Sequence, residues 1–569
     1  MSGRQIAVII VLILVVIGLA VGAGAALLYY MSKPARPAHD SILEIQLTGN
    51  LAESPRRDPW AILTAAKGVD LWDLRRAITA AKNDDRVAGI FLEIGPFAAS
   101  WAQVAELRSL LQDFKSSGKP VYAFLSVDAA GEGDLLLASV ADVVALNPVA
   151  GLLIDGLLSE VTFYKRALDK LGVKAEFFQF KEYKNPGTYT RTSMTPEFRS
   201  MLEEIIGELQ SNFVADLAAA RGLSEQEVRD AVARGLLSAV GGQEARLVDR
   251  LAYRSDLVED LRQAVGADRY RGISLARYLK VLPQPGTRPK ARIAYVTAEG
   301  VIVTWAGGGF GTFIEADRLT DELRQLREDD RIDGVILRVN SPGGSAVASD
   351  MIWKEIARFE EGGKPVVVSM SGTAASGGYY IALSGRRIVA QPSTITGSVG
   401  VIFGKFDLSG FYDWLGIDVE RVQGAPNAGF LSLTKPLSPE QQERVLEWME
   451  ETYDTFVRRA AEGRGLSFEA MEAKARGRIY TGRQAREEGL IDALGGIQEA
   501  VALMKEELGL GPDEPVTLEL YPKPKTVLET LMESGLLDVR IPKPADLQLL
   551  ARELETPRVW LLAPSAVVH

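Results

Sequence analysis

Ser376 lies in the run Ala374-Ala375-Ser376-Gly377-Gly378-Tyr379, where the apolar strand pattern PVVVSM gives way to small residues and then to a helical pattern. A serine at the mouth of a helix, with small neighbours, has room to attack a carbonyl carbon. The N–H of Gly377 is placed to donate to the oxyanion that such an attack creates, and the helix dipole favours negative charge there. One strand–helix unit earlier, Asn340-Ser341-Pro342-Gly343-Gly344-Ser345 closes the strand pattern GVILRV with a glycine turn. Gly343 and Gly344 let the backbone approach a ligand closely and offer further N–H groups at a helix start. Each element alone has a plain structural meaning. A serine before a helix is commonly an N-cap, and a glycine pair can be a simple strand-to-helix turn. Their occurrence in consecutive units favours nucleophilic catalysis.

A serine nucleophile needs a base. The chain has no cysteine and two histidines, His39 and His569, neither placed to serve. This excludes a thiol nucleophile and cysteine metal sites, and it argues against a Ser-His-Asp triad or a histidine-rich metal centre; no metal or cofactor is expected. A neutral lysine can take the proton. Its ordinary pKa is about 10.4, and burial lowers it. Lys184 follows the apolar, aromatic run AEFFQF, which could desolvate an amine. Lys181, one turn away, has a similar claim, and the residues alone leave both open.

The two groups lie in different halves of a chain that repeats itself. Asp84-Asp85-Arg86 before VAGIFLEI matches Asp329-Asp330-Arg331 before IDGVILRV, and Gly118-Lys119-Pro120 matches Gly363-Lys364-Pro365, both at an offset of 245. At that offset Ser376 falls on Gly131, and Gly343 and Gly344 fall on Ala98 and Ala99. One residue is then lost, and at an offset of 244 Lys184 falls on Ala428. Each half lacks the group that the other carries, which predicts one composite site per pair of halves. That site would form either within one chain or between neighbours in a ring.

The elements that position these residues follow from periodicity. ILEIQL, VAGIFLEI and PVYAFLS predict strands in the first half, with helices over Leu71–Lys82 and Trp101–Ser116. ARIAYV, GVILRV and PVVVSM repeat the order, with helices over Asp317–Arg327 and Ala348–Phe359. Strands alternating with helices at this spacing imply βαβ units and a largely parallel sheet. Longer helices are predicted over Pro196–Arg221 and Pro439–Gly463. Ile6–Tyr30 carries no charge over 25 residues, enough to cross a bilayer core of about 30 Å; it predicts an uncleaved anchor rather than a signal peptide. The expected organisation is an anchor and linker over 1–40, a first repeat over 41–288, a second over 289–530 and a tail over 531–569. A net charge of −11 without a basic stripe makes nucleic acid an unpromising partner.

RVNSPGGS, AASGGYYIA, QPSTITGSVGVIFG and EYK followed by SMTP resemble the tandem-domain members of peptidase family S49, the bacterial signal peptide peptidases of the SppA type. The resemblance runs from about residue 40 to 530. It implies two ClpP/crotonase-like α/β domains behind a single membrane helix, and a serine protease with Ser376 as nucleophile. It selects the lysine after tyrosine, Lys184, as general base, and adds Ser398 of TGSVG as the group that orients it. The implied substrates are signal peptides left in the membrane after secretion. The implied setting is the bacterial inner membrane, with the catalytic body outside the cytoplasm and a homotetrameric assembly. An apolar groove lined by Phe177, Phe178, Phe180 and Tyr379 would suit such peptides. Two rivals remain at this stage: a crotonase-like acyl-CoA enzyme, which shares the glycine turn, and a non-catalytic membrane scaffold.

Overall fold

The computed structural model describes residues 37–55, 68–184, 187–282, 289–305 and 312–523, and the backbone of 560–562 and 567–568. The 6–30 span lies outside the described residues, and among those described no helix is long and apolar enough to cross a membrane.

In the first half, Ser41–Asn50, Val87–Ala98, Val121–Leu125 and Val143–Leu146 pair in parallel. Val87, Ile90, Phe91, Leu92 and Ile94 are all buried, as expected of a parallel strand covered on both faces. Leu71–Lys82 starts at Asp70, whose carboxylate accepts from the N–H of Asp73. Trp101–Lys115 starts at Ser100 in a reciprocal capping box with Gln103. These caps satisfy helix N–H groups that would otherwise lack partners.

The second half repeats the plan. Ala291–Glu299, Gly334–Ser341 and Val366–Ala375 are parallel neighbours, extended by Val516–Tyr521 on one side and by Ile395–Gly397 on the other. The helices Ala316–Glu328 and Ala346–Glu361 cover the sheet. Between the glycine turn and the second helix, Gly343–Ser345 forms a short strand rather than leading straight into the helix.

The spatial arrangement crosses the repeat boundary. The first-half strand Lys174–Phe180 pairs antiparallel with Val401–Asp407 of the second half, from Lys174 opposite Asp407 to Phe180 opposite Val401. This sheet also contains Gly343–Ser345 and Trp560–Leu562 of the tail. A second contact is ionic and dry. Arg338, on the strand that ends in the glycine turn, donates to Glu53 at 2.8 Å and to Glu106 at 2.7 Å, both from the first half. Ser369 and Ser371, on the strand that leads to Ser376, lie 2.8 and 3.1 Å from the same guanidinium. Trp72 stacks on Tyr295 beside them, with ring centroids 4.8 Å apart.

Candidate active site

Ser376 ends the strand Val366–Ala375 and precedes the helix Gly377–Ala382. Its backbone is left-handed, at φ 56°, a region costly for a residue with a Cβ. Its N–H donates to the carbonyl of Gly397 at 2.7 Å and its carbonyl accepts from Tyr380 at 2.8 Å. These bonds hold the turn. The side chain makes no capping bond, so the N-cap reading does not account for it. The hydroxyl instead faces Lys184.

Lys184 Nζ lies 2.7 Å from Ser376 Oγ, 2.9 Å from the carbonyl oxygen of Ser398 and 2.9 Å from Ser398 Oγ. All three residues are fully buried. The antiparallel pairing explains the meeting. Phe180 stands opposite Val401, so the chain beyond Phe180 runs toward Ser398, three residues before Val401. Burial pushes the Lys184 amine well below its ordinary value near 10.5. The contact set fits the neutral form. A neutral amine has two N–H groups for the two Ser398 oxygens and one lone pair for the serine hydroxyl. Ser398 is itself left-handed, at φ 56°. Two strained serines facing one buried lysine fit the tendency of backbone strain to collect at functional sites.

Lys181, the other lysine left open by sequence, points elsewhere. Its Nζ is 3.3 Å from Glu472 and lies over the rings of Phe180 and Tyr453. The two halves therefore meet within one chain, the first of the two routes anticipated from the repeat. At the corresponding place in the first half, the N–H of Gly131 is taken by Asp134 at 3.1 Å, and no hydroxyl is present.

The glycine turn packs directly on the helix start. A methyl group on Gly377 would sit 3.1 Å from the Gly344 nitrogen and 3.2 Å from Gly343 Cα. The N–H of Gly343 donates to Ser341 Oγ at 3.1 Å, which engages it locally.

Of the four aromatic residues expected to line a groove, Tyr379 does not, and the other three are partly buried. Tyr379 is fully buried and donates to the carbonyl of Leu490 at 2.9 Å. It faces inward because the helix that Ser376 starts turns its side chain into the core. Phe178 and Phe180 pack against that core, and Phe177 stacks on Tyr189 and meets Phe406 edge-on. Sequence reading also missed the tail. Trp560–Leu562 runs antiparallel to Gly343–Ser345, with Leu562 opposite Gly343 and Trp560 opposite Ser345 and Ile402. The apolar run VWLLAP was the signal available for it.

Comparison with known proteins agrees with this arrangement. The model of peptidase family S49 matches residues 113–268 and 358–511, and the Clp protease model matches 313–395. The chain is 31% identical over 476 residues to "Serine protease SPPA, chloroplastic" of Arabidopsis thaliana, covering 82% of this chain and 70% of that protein. It is 35% identical over 497 residues to "Protease 4" of Salmonella typhi, covering 84% and 78%. It is 31% identical over 453 residues to "Protease 4" of Haemophilus influenzae, covering 76% and 72%. The matches fall on both halves and span the serine-bearing and lysine-bearing segments alike, so the chain belongs to peptidase family S49, in tandem-domain form, and is a serine protease.

Proposed function

We propose that the chain is an endopeptidase that cleaves peptide bonds through an acyl-enzyme on Ser376, with Lys184 as general base. The observation that carries this reading is the buried contact of 2.7 Å between Lys184 Nζ and Ser376 Oγ. Neutral Lys184 takes the hydroxyl proton as Oγ bonds to the substrate carbonyl carbon. The carbonyl electron pair moves to oxygen, where the N–H groups of Gly377 and Gly344 receive it. Gly343 supports the turn, since its N–H is engaged by Ser341. When the tetrahedral species collapses, the peptide C–N bond breaks and the Lys184 ammonium gives its proton to the leaving amine. Water, deprotonated by the same lysine, then releases the acyl group. Ser398 holds both N–H groups of the amine and so aims its lone pair at Ser376.

The substrate binds extended. Gly343–Ser345 offers backbone to an antiparallel strand, a position that the chain's own tail takes. Residues 6–30 anchor the two repeats, 41–288 and 289–530, at a bacterial inner membrane with the body outside the cytoplasm. A ring of four copies limits entry to unfolded chains, and signal peptides left in the bilayer are the substrates. A fluorogenic signal-peptide substrate in detergent or vesicles tests the reading. Wild type should cleave it, while Ser376→Ala and Lys184→Ala should both be inactive although cooperatively folded. Activity in either variant would overturn the assignment of that residue.

A further inference from the structure

Lys184 enters the site from the first half, yet the contacts that fix its backbone come from a loop late in the second half. That loop, Arg476-Gly477-Arg478, joins the helix Phe468–Lys474 to the strand Ile479–Thr481. Its backbone bonds reach Tyr183 and the Ser398-Val399 segment. The carbonyl of Arg476 accepts from the N–H of Tyr183 at 3.1 Å. The N–H of Gly477 donates to the carbonyl of Val399 at 2.7 Å, and the carbonyl of Arg478 accepts from the N–H of Ser398 at 2.6 Å. One three-residue segment thus holds the residue before the base and the serine that orients it.

The approach is close enough to require glycine. A Cβ on Gly477 would lie 2.3 Å from the Lys184 nitrogen, 2.4 Å from its Cβ and 2.6 Å from its Cα. Arg476 and Gly477 are both left-handed, at φ 58° and 86°, which turns the loop onto the lysine. Gly400 packs beside Gly477 against the same lysine: a methyl group there would sit 3.0 Å from Gly477 Cα and 3.1 Å from both Cβ and Cδ of Lys184. The charged groups around the loop are paired among themselves. Arg476 meets Glu182 at 3.0 Å, Arg478 meets Glu204, and Lys181 meets Glu472 at 3.3 Å.

We infer that Gly477, with its neighbours Arg476 and Arg478, is a positioning element that sets the distance between the lysine amine and the serine hydroxyl. This deepens the reading of Lys184 as base and rests on it. The loop touches neither Ser376 nor the glycine turn through any of these bonds, so it acts through the lysine and through Ser398. It also makes the lysine of one half dependent on the last part of the other half, and a composite site therefore forms only when both halves are folded.

The test uses the full-length enzyme in detergent with a graded set of variants. Gly477→Ala places a methyl group against the lysine backbone. Gly400→Ala presses on its stem without a left-handed backbone. Gly465→Ala is the control, because Gly465 is left-handed at φ 63° and a Cβ there meets nothing within 4 Å. For each, kcat/KM is recorded against pH together with the melting temperature. A displacement near 1 Å can cost about 100-fold in rate, and that is the loss expected for Gly477→Ala, with the acid limb of the profile moved to higher pH as the amine gains water. Gly400→Ala should show a smaller change in the same direction, and it carries the test if Gly477→Ala does not fold. Gly465→Ala should lower the melting temperature and keep the wild-type profile. A wild-type profile in both Gly477→Ala and Gly400→Ala would overturn the inference, as would losses that simply follow the melting temperature across all three. Activity in Lys184→Ala would instead remove the base on which the inference rests.

Discussion

Replacing Arg338 by methionine should weaken the junction between the halves far more than an ordinary core substitution. The guanidinium is fully buried, as is Glu53, and Glu106 is 2% exposed. It donates to Glu53 at 2.8 Å, Glu106 at 2.7 Å, Ser369 at 2.8 Å and Ser371 at 3.1 Å. Methionine fills much of the space but leaves two carboxylates without their cation. Removing one partner of a buried ion pair costs about 3–5 kcal/mol, mostly as the burial penalty of the charge left behind. At roughly 2–4 °C per kcal/mol for a unit of this size, the melting temperature should fall by about 6–20 °C. Adding Glu53→Gln or Glu106→Gln to Arg338→Met should recover part of the loss, because each removes an orphaned charge; the same changes in the wild-type background should be destabilising. Peptidase activity should fall with Arg338→Met, since Arg338 ties the first half to the strands that lead to the glycine turn and to Ser376. Thermal unfolding by circular dichroism, with hydrolysis measured on the same samples, reads both effects. A shift under about 2 °C, or glutamine changes that deepen the loss, would refute the view that this network clamps the halves.

Lys184→Met should be inactive yet more stable than wild type at neutral pH. Burial holds the folded pKa of Lys184 well below its ordinary value near 10.5. Between those two values the unfolded chain binds a proton that the folded chain does not, so wild-type stability rises with pH across that window; Lys184→Met should lose this slope in melting experiments, while wild-type activity rises as the amine deprotonates. Mixing Ser376→Ala chains with Lys184→Ala chains should restore no hydrolysis, even where mixed oligomers form, because the contact is made within one chain. Asp70 should carry a pH-dependent penalty, since burial and then Asp73 push its carboxyl up to about 7. Its folded pKa exceeds the ordinary 3.8, so stability present at low pH is lost as pH rises through about 7. Asp70→Asn, which retains an N-cap, should raise the melting temperature at pH 8 and do so less at pH 5.

Much of this was legible in the sequence because it rests on local pattern. The helices Leu71–Lys82 and Pro196–Arg221 fall where apolar spacing and their start signals place them. The strands of both halves match the apolar runs, and the two ends of the helix after the glycine turn each extend two residues beyond the Ala348–Phe359 pattern. Ser376 stood out through the company of Gly343 and Gly344. The choice between Lys181 and Lys184 was not local. It depends on the pairing of Lys174–Phe180 with Val401–Asp407, a contact across more than two hundred positions of chain, and the residues alone could not supply it. The same holds for Gly477, whose neighbour in space is Lys184. The Tyr379 error has a different origin. Tyr379, three positions after Ser376 in sequence, looked close to a bound peptide, but the helix turns its side chain into the core.

The most direct test is site-resolved labelling by a fluorophosphonate across a range of pH, read by mass spectrometry of the digested protein. The dyad predicts a single phosphonylated residue, Ser376, formed at a rate that rises with pH along the same limb as hydrolysis, and near-complete loss of labelling in Lys184→Met. An adduct on another residue, or labelling of Ser376 at the wild-type rate in Lys184→Met, would contradict it.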